Sequence, residues 1–234
     1  MILAVEPPAY FPPPAGCAKL AAADVIVRAD TFRFSRKEGV HRTAIRTLTG
    51  QRWLSVPVLG SGVPGARIAD LAIDARQPWA DEHWRALEYN YHNAAYYYYY
   101  ADAVEGIIRS AGSSLAALLT AAGGFASGSL DLRAQMISSS GLPEVSERTG
   151  RLLAWAQVCG CDRYLIHPGE AGLLDLPRLK AAGIGLVTLD FTAAPYHQQV
   201  PGFLPGLSLL DLLFNEGPAA AEYLRANTRI AGAV

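Results

Sequence analysis

Cysteine, charge and long apolar runs are all scarce in this chain, and each shortage closes off a class of protein. The three cysteines, Cys17, Cys159 and Cys161, are an odd number, and "VCGCDRYL" sets two of them one residue apart. No disulfide framework is built that way. A C-x-C offers at most two thiolates, and no further ligands stand at recognisable spacing, so no metal site is expected. Cys159 reads instead as the end of a helix, with Gly160 as its stop. Charged residues are 18% of the 234, and the formal net charge is −1. Such a balance gives no broad basic field to draw nucleic acid or an anionic bilayer.

The opening "MILAVEPPAYFPPP" is apolar for only five residues before prolines break it, which is neither a secretory h-region nor a membrane span. The later run "SLAALLTAAGGFA" is also too short to cross a bilayer. The expectation is a cytoplasmic protein with no membrane insertion and no nucleic-acid partner, acting on a small molecule; a homodimer is left open. Cofactor fingerprints are missing as well. "LGSGVPG" has the G-x-G-x-x-G spacing at Gly60, Gly62 and Gly65, but Pro64 and a strand-like segment follow where a helix is required. No Walker, G-x-S-x-G or H-E-x-x-H sequence occurs, so no cofactor is implied.

What is present is a hydrophobic fraction of 51%, enough for one α/β domain spanning residues 1–234. "MILAV", the helix "AGCAKLAAA" and "DVIVRAD" make a β-loop-α-β opening. "AIRTLTGQRWLSVPV" reads as a hairpin about Thr49-Gly50, and "ARIADLAID" as another strand. From Trp79 the period becomes helical, with Trp79, His83, Ala86, Leu87 and Asn90 on one side. The tyrosine block Tyr96–Tyr100 begins the next helix, whose inward stripe is Tyr97, Tyr100, Ala101, Val104, Ile107 and Ile108, leaving Tyr98 and Tyr99 outside. "SSLAALLTAAGG" is a helix with a glycine stop. Later segments alternate helix and strand, and Ser208 with Asp211 has capping-box spacing at the head of "SLLDLLFNEG". The fold class predicted is α/β: a Rossmann-like, mostly parallel sheet flanked by helices, with a helical segment inserted around residues 79–125.

In parallel sheets ligands gather beyond the carboxyl ends of the strands. Glu6, Asp30, His167 and Asp190 each end a predicted strand, and a carboxylate beside an imidazole is an acid-base pair; Glu6, His167 and Asp190 are the catalytic candidates. The loop "FRFSRKEGVHRTAIR" concentrates cations, with Lys37 and Arg42 placed to clamp a phosphate or carboxylate and His41 beside them. Ser139, between Ser138 and Ser140, is a loop hydroxyl suited to anion binding.

These segments together resemble the WbqC-like family of bacterial surface-sugar gene clusters. Pro8, Tyr10, Phe11 and Pro12 match its opening. Lys37, Arg42, Ile45, Gly50, Leu54 and Val56-Pro57-Val58 match its basic segment. Trp79, His83, Tyr91, Ala94, Tyr96 and Tyr100 match the central pattern. Tyr196, Gln198, Phe203, Pro205, Leu207, Ser208, Asp211, Leu213, Phe214, Asn215 and Gly217 match the C-terminal one. Glu6 and Pro7 stand where the family has His and Gln, so no role passes from that His, and His41 stands where it has Asn.

The resemblance implies a transferase of O-antigen type surface-polysaccharide synthesis that attaches an amino acid or acyl group to an amino sugar or sugar-nucleotide. Tyr10, His83, Tyr96, Tyr196 and Gln198 then join Lys37, His41, Arg42 and Ser139 as substrate-binding residues. The β-loop-α-β start is also similar to nucleotidyltransferase-like folds, giving nucleotidyl transfer or ATP-dependent ligation as an alternative. A non-catalytic assembly module that docks a polysaccharide-synthesis enzyme through Tyr98 and Tyr99 is the other.

Overall fold

In the computed structural model, which describes residues 1–232, two short apolar strands, β1 (Ile2–Glu6) and β2 (Val25–Arg28), flank the helix α1 (Pro14–Ala22). A proline opens α1, where its missing N–H leaves no bond unmade. The strands pair in parallel with Glu6 opposite Arg28. The chain then leaves the sheet through a hairpin of β3 (Arg42–Thr47) and β4 (Gly50–Ser55), in which Thr47 pairs with Gly50 across Leu48-Thr49. Gly50 supplies the positive φ, +130°. Short strands β5 (Val58–Leu59) and β6 (Ala72–Ile73) pair with each other, and three helices follow: α2 (Trp79–Tyr91), α3 (Tyr97–Arg109) and α4 (Leu115–Ser129).

The sheet resumes with β7 (Gln135–Ser138), then α5 (Arg148–Cys159), β8 (Arg163–Ile166), α6 (Leu176–Ala181) and β9 (Gly185–Phe191). Helices α7 (Leu209–Glu216) and α8 (Ala220–Ala226) lead to β10 (Thr228–Ala231). The strand order is β10-β9-β8-β1-β2-β7, parallel throughout except β10, which runs antiparallel to β9. Successive strands step outward from β1 through β2 to β7, after which the chain returns to β8 on the other side of β1. That reversal opens a crevice beyond the carboxyl ends of β1 and β8.

Apolar side chains alternate across β1. Ala4 packs with Ala18 of α1 and Leu165, while Leu3 packs with Leu152 and Trp155 of α5 on the opposite face. A third cluster joins α2, α3, α4, α7 and the hairpin. In α3 the helical period holds: Tyr97, Tyr100, Ala101, Val104 and Ile108 are buried, and Tyr98 and Tyr99 are exposed. Gly160 ends α5 in the left-handed region at φ +65°.

Three local readings are corrected. "ARIADLAID" is a 3-10 turn at Ile68–Asp70 followed by the two-residue β6, because Ile68, Leu71 and Ile73 all enter the core and an alternating strand cannot put them there. Helix α4 runs through Gly123-Gly124 to Ser129, since its buried stripe continues from Leu119 and Ala122 to Ala126. That packing outweighs the roughly 1 kcal/mol that a mid-helix glycine costs. Ser208 does cap α7, accepting from the Leu210 N–H at 3.1 Å, but its own N–H donates to the Ala44 carbonyl at 2.7 Å. Asp211 is therefore released from the capping box and turns inward. Among the described residues no helix is long and apolar enough to cross a membrane.

Candidate functional site

Glu6 closes β1 and stands at the crevice. On α1, the next element in sequence, Lys19 is only 2% exposed, and its ammonium lies 2.5 Å from a Glu6 carboxylate oxygen. The same ammonium reaches the Val5 carbonyl at 3.4 Å and Glu170, from the loop after β8, at 3.7 Å. A buried cation is stable only with such partners. In the sequence Lys19 reads as one more good helix former in an alanine-rich segment.

Two cavities meet at this point and share Glu6, Pro7 and Glu38 in their walls. The first, of about 410 Å³, lies between the proline-rich loop, the cationic loop, the β3–β4 hairpin and α4. Phe11, Ile26 and Leu119, all buried, form its floor, whereas Lys37 and Trp53 are exposed at its rim. The Arg42 guanidinium stacks 4.4 Å above the Trp53 ring, and a Cβ at Gly39 would stand 3.0 Å from its Nε. Arg42 is thus held flat between an indole and a glycine backbone. The Nε atoms of Arg28 and Arg42, both in this lining, are buried without a hydrogen-bond partner. Two guanidinium groups in one lining suit an anionic group.

The proline-rich loop keeps its shape through Phe11, a non-glycine residue in the left-handed region at φ +46°. Its carbonyl accepts from the Thr43 hydroxyl at 2.8 Å and the Ser208 hydroxyl at 3.2 Å, while the Leu209 N–H donates to the Pro12 carbonyl at 2.9 Å. Hairpin and α7 together fix a backbone conformation that bulky residues adopt at a cost.

The second cavity, about 260 Å³, opens on the α5 side. Lys19, Arg148 and Arg151 face it together with Glu170, Tyr164 and Trp155. Arg151 lies 4.7 Å over the Phe32 ring, and its burial lowers the guanidinium pKa. Among the described residues no cluster of His, Cys, Asp and Glu is arranged to hold a metal ion.

Of the residues singled out in the sequence, Glu6, Lys37 and Arg42 line the first cavity. The others are elsewhere. His167 is half-buried, its N–H donating to Glu170 at 2.9 Å, and lies outside both linings. Asp190 is exposed and faces Arg229 of β10 across the sheet edge. Tyr10 and His83 are buried and bonded to each other, hydroxyl to Nδ1 at 3.1 Å, behind the cavity wall. Burial first, and then Arg52, push the His83 imidazole down to about 4, against the raising effect of a hydrogen bond with the Ser55 backbone. His41 is buried against Phe34, and desolvation, then Arg42 and Arg36, lower its pKa. Tyr96 donates its N–H to the Phe214 carbonyl at 2.9 Å and lays its ring on Gly217.

Ser139 and its neighbours bind a carboxylate of the protein itself. Asp30 accepts from the Ser138, Ser139 and Ser140 hydroxyls and the Ser140 N–H at 2.6–3.0 Å. Burial pushes the Asp30 carboxyl up, but these bonds prevail and hold it below its ordinary value. Tyr196 and Gln198 converge on Asp211, which is 0% exposed and accepts from the Tyr196 hydroxyl at 2.6 Å, Gln198 at 2.9 Å and the Tyr91 hydroxyl at 2.8 Å. Gln198 also exchanges two bonds with the Leu204 backbone. The network therefore fixes the segment whose Gly206 and Ser208 close the first cavity.

The family model described as the WbqC-like protein family matches residues 7–223 of this chain. The chain is 29% identical over 208 residues to an uncharacterized protein, Rv1507c, of Mycobacterium tuberculosis, covering 88% of this chain and 90% of the relative. No solved structure matches. The chain belongs to the WbqC-like protein family.

Proposed function

We propose, with membership of the WbqC-like family as the premise, that this chain is a two-substrate transferase that joins an acyl or aminoacyl group to an amino sugar or sugar-nucleotide. The setting that the family implies is synthesis of bacterial surface polysaccharide. One observation carries the reading: Glu6 is common to the walls of two adjoining cavities of different character. A group transfer needs donor and acceptor side by side with a proton acceptor between them.

The first cavity takes the donor, with Arg42 and Lys37 on its phosphate or carboxylate. The second, with Trp155 as an apolar surface and charged groups around it, takes the sugar. The acceptor amine attacks the donor's carbonyl carbon, and Glu6 accepts the proton that the amine gives up. A C–N bond forms as the bond to the donor's leaving group breaks and its electron pair departs with that group. His167 and Asp190 have no part in this scheme, and Tyr10, Tyr196 and Gln198 act by holding the walls.

A thermal-shift screen of sugar-nucleotides and activated acyl donors finds the ligands, because binding to the native state raises its melting temperature. With the best pair, Glu6→Gln is expected to lose turnover by at least a hundredfold while still binding both substrates. Arg42→Ala weakens donor binding about tenfold in calorimetry, and Arg42→Lys, which cannot stack flat on Trp53, restores little of it. Wild-type turnover in Glu6→Gln removes Glu6 as the base, and no turnover of any donor–acceptor pair by the wild type refutes the transferase assignment.

A second reading is supported by the reversal of strand order beside β1 in the mostly parallel sheet, and by Arg148 and Arg151 in the first turns of α5. Nucleotidyl transfer or ATP-dependent ligation would follow, and ATP–pyrophosphate exchange is its test.

A further inference from the structure

We infer that the first cavity receives a straight, flexible acyl chain, and that Gly123 sets the length it admits; this identifies the donor class of the transferase proposed above and rests on that reading for its biological use. Along β2 the cavity lining passes from charged Arg28, with Glu6 opposite it on β1, to apolar Ile26, with Met136 opposite it on β7. The guanidinium groups of Arg28 and Arg42 belong to its lining beside the carboxylates of Glu6 and Glu38, and Lys37 stands exposed at the rim. Below them the lining is Phe11, Ile26, Leu119 and Met136. An anionic or carbonyl head followed by methylenes is complementary to that order of groups, whereas a sugar or a peptide would leave its hydroxyls or amides facing hydrocarbon.

Two features make the chain the better occupant than a short branched side chain. The volume, about 410 Å³, lies within the range of sites for whole small molecules. Gly123, one helical turn along α4 from Leu119, lines the cavity, and a Cβ there would meet no atom within 4 Å. The helix therefore tolerates a side chain at this position, and its absence leaves room in the cavity. Gly124 is equally open, but it is exposed and outside the lining. The pair supplies its own control.

The experiment is calorimetric titration of the full chain with straight-chain carboxylates from butyrate to decanoate. Affinity is expected to rise about fourfold per added methylene, the gain from burying one such group, until the cavity is full. Gly123→Leu is expected to bind butyrate as the wild type does and to lose affinity for octanoate and decanoate at least tenfold. Gly124→Leu keeps the wild-type profile, and circular dichroism melts confirm that both variants fold. A wild-type curve already flat beyond butyrate overturns the inference in favour of a short aminoacyl group. A length profile unchanged by Gly123→Leu overturns it too. The underlying function fails separately: length-dependent binding with no turnover of any donor–acceptor pair by the wild type removes the transferase and keeps the acyl-chain cavity, while turnover with a flat length profile does the reverse.

Discussion

Lys19 and Glu6 are joined at 2.5 Å across the gap between α1 and the end of β1, the cation 2% exposed and the carboxylate 26%. The pair ties the proposed base to the helix that follows it. Removing one member of a buried pair costs about 3–5 kcal/mol because the other charge is left unpaired, and the partial exposure of Glu6 brings this down to about 2 kcal/mol. Lys19→Met is expected to lose that much in urea unfolding. The double variant Lys19→Met with Glu6→Gln recovers part of it, since no charge is then stranded.

Asp211 gathers three side-chain donors with no solvent contact. Desolvation raises its carboxyl above the ordinary value although Tyr196, Tyr91 and Gln198 all pull it down. Asp211→Ala leaves the two phenols without an acceptor and is expected to cost about 3 kcal/mol, from roughly 1–3 per buried unmet group. Urea unfolding at neutral pH measures it. Tyr91→Phe and Tyr196→Phe cost less singly, and their effects fall short of additivity because they share one carboxylate.

His83 predicts how stability changes on acidification. Its folded pKa is depressed to about 4 from an ordinary value of 6.5, so between those limits the unfolded chain binds a proton that the native state refuses. Stability then falls as pH drops through the window, by about 1.4 kcal/mol per unit well inside it. Buried His41, also lowered, acts in the same direction. The raised Asp211 carboxyl has the opposite sign: its ionised form is a burden above the folded pKa, relieved as pH falls through that value. Unfolding midpoints measured from pH 7 to pH 4 are expected to decline in the wild type and to decline less steeply in His83→Asn, where His41 still acts.

The sequence makes the parallel core legible because β1, β2, β8 and β9 are short apolar runs bounded by punctuating residues. Helix α3 is legible too, its period sorting Tyr97 and Tyr100 from Tyr98 and Tyr99. Asp211 shows why part of the site is not. Its spacing from Ser208 satisfies a capping box, and only the position of the Ala44 carbonyl, set by a distant hairpin, takes the Ser208 N–H away. Lys19 is similar, since nothing local says that a lysine in an alanine-rich helix will be covered on every side. Strand ends locate Glu6 at the crevice, yet the same rule gives Asp190 and His167. Which face each strand presents depends on pleat and on the edge strand β10, neither of which has a local signal in the sequence.

Tyr96 and Gly217 illustrate the same point with a measurable consequence. The helix α7 ends at Gly217 with φ +56° and ψ −131°, a conformation in which only glycine is at ease, and the Tyr96 ring rests where a Cβ would project. Two separate costs therefore oppose Gly217→Ala: backbone strain of about 1–3 kcal/mol and the displacement of an aromatic ring. The variant is expected to lose about 3 kcal/mol or more in thermal or urea unfolding. Adding Tyr96→Ala removes the collision but leaves the strain, so the double variant is expected to recover part of the loss and not all of it. Full recovery would mean that the glycine serves only to admit the ring. No recovery would mean that the backbone angle alone requires it, and that Tyr96 accommodates a methyl group by turning into the solvent to which it is already 39% exposed.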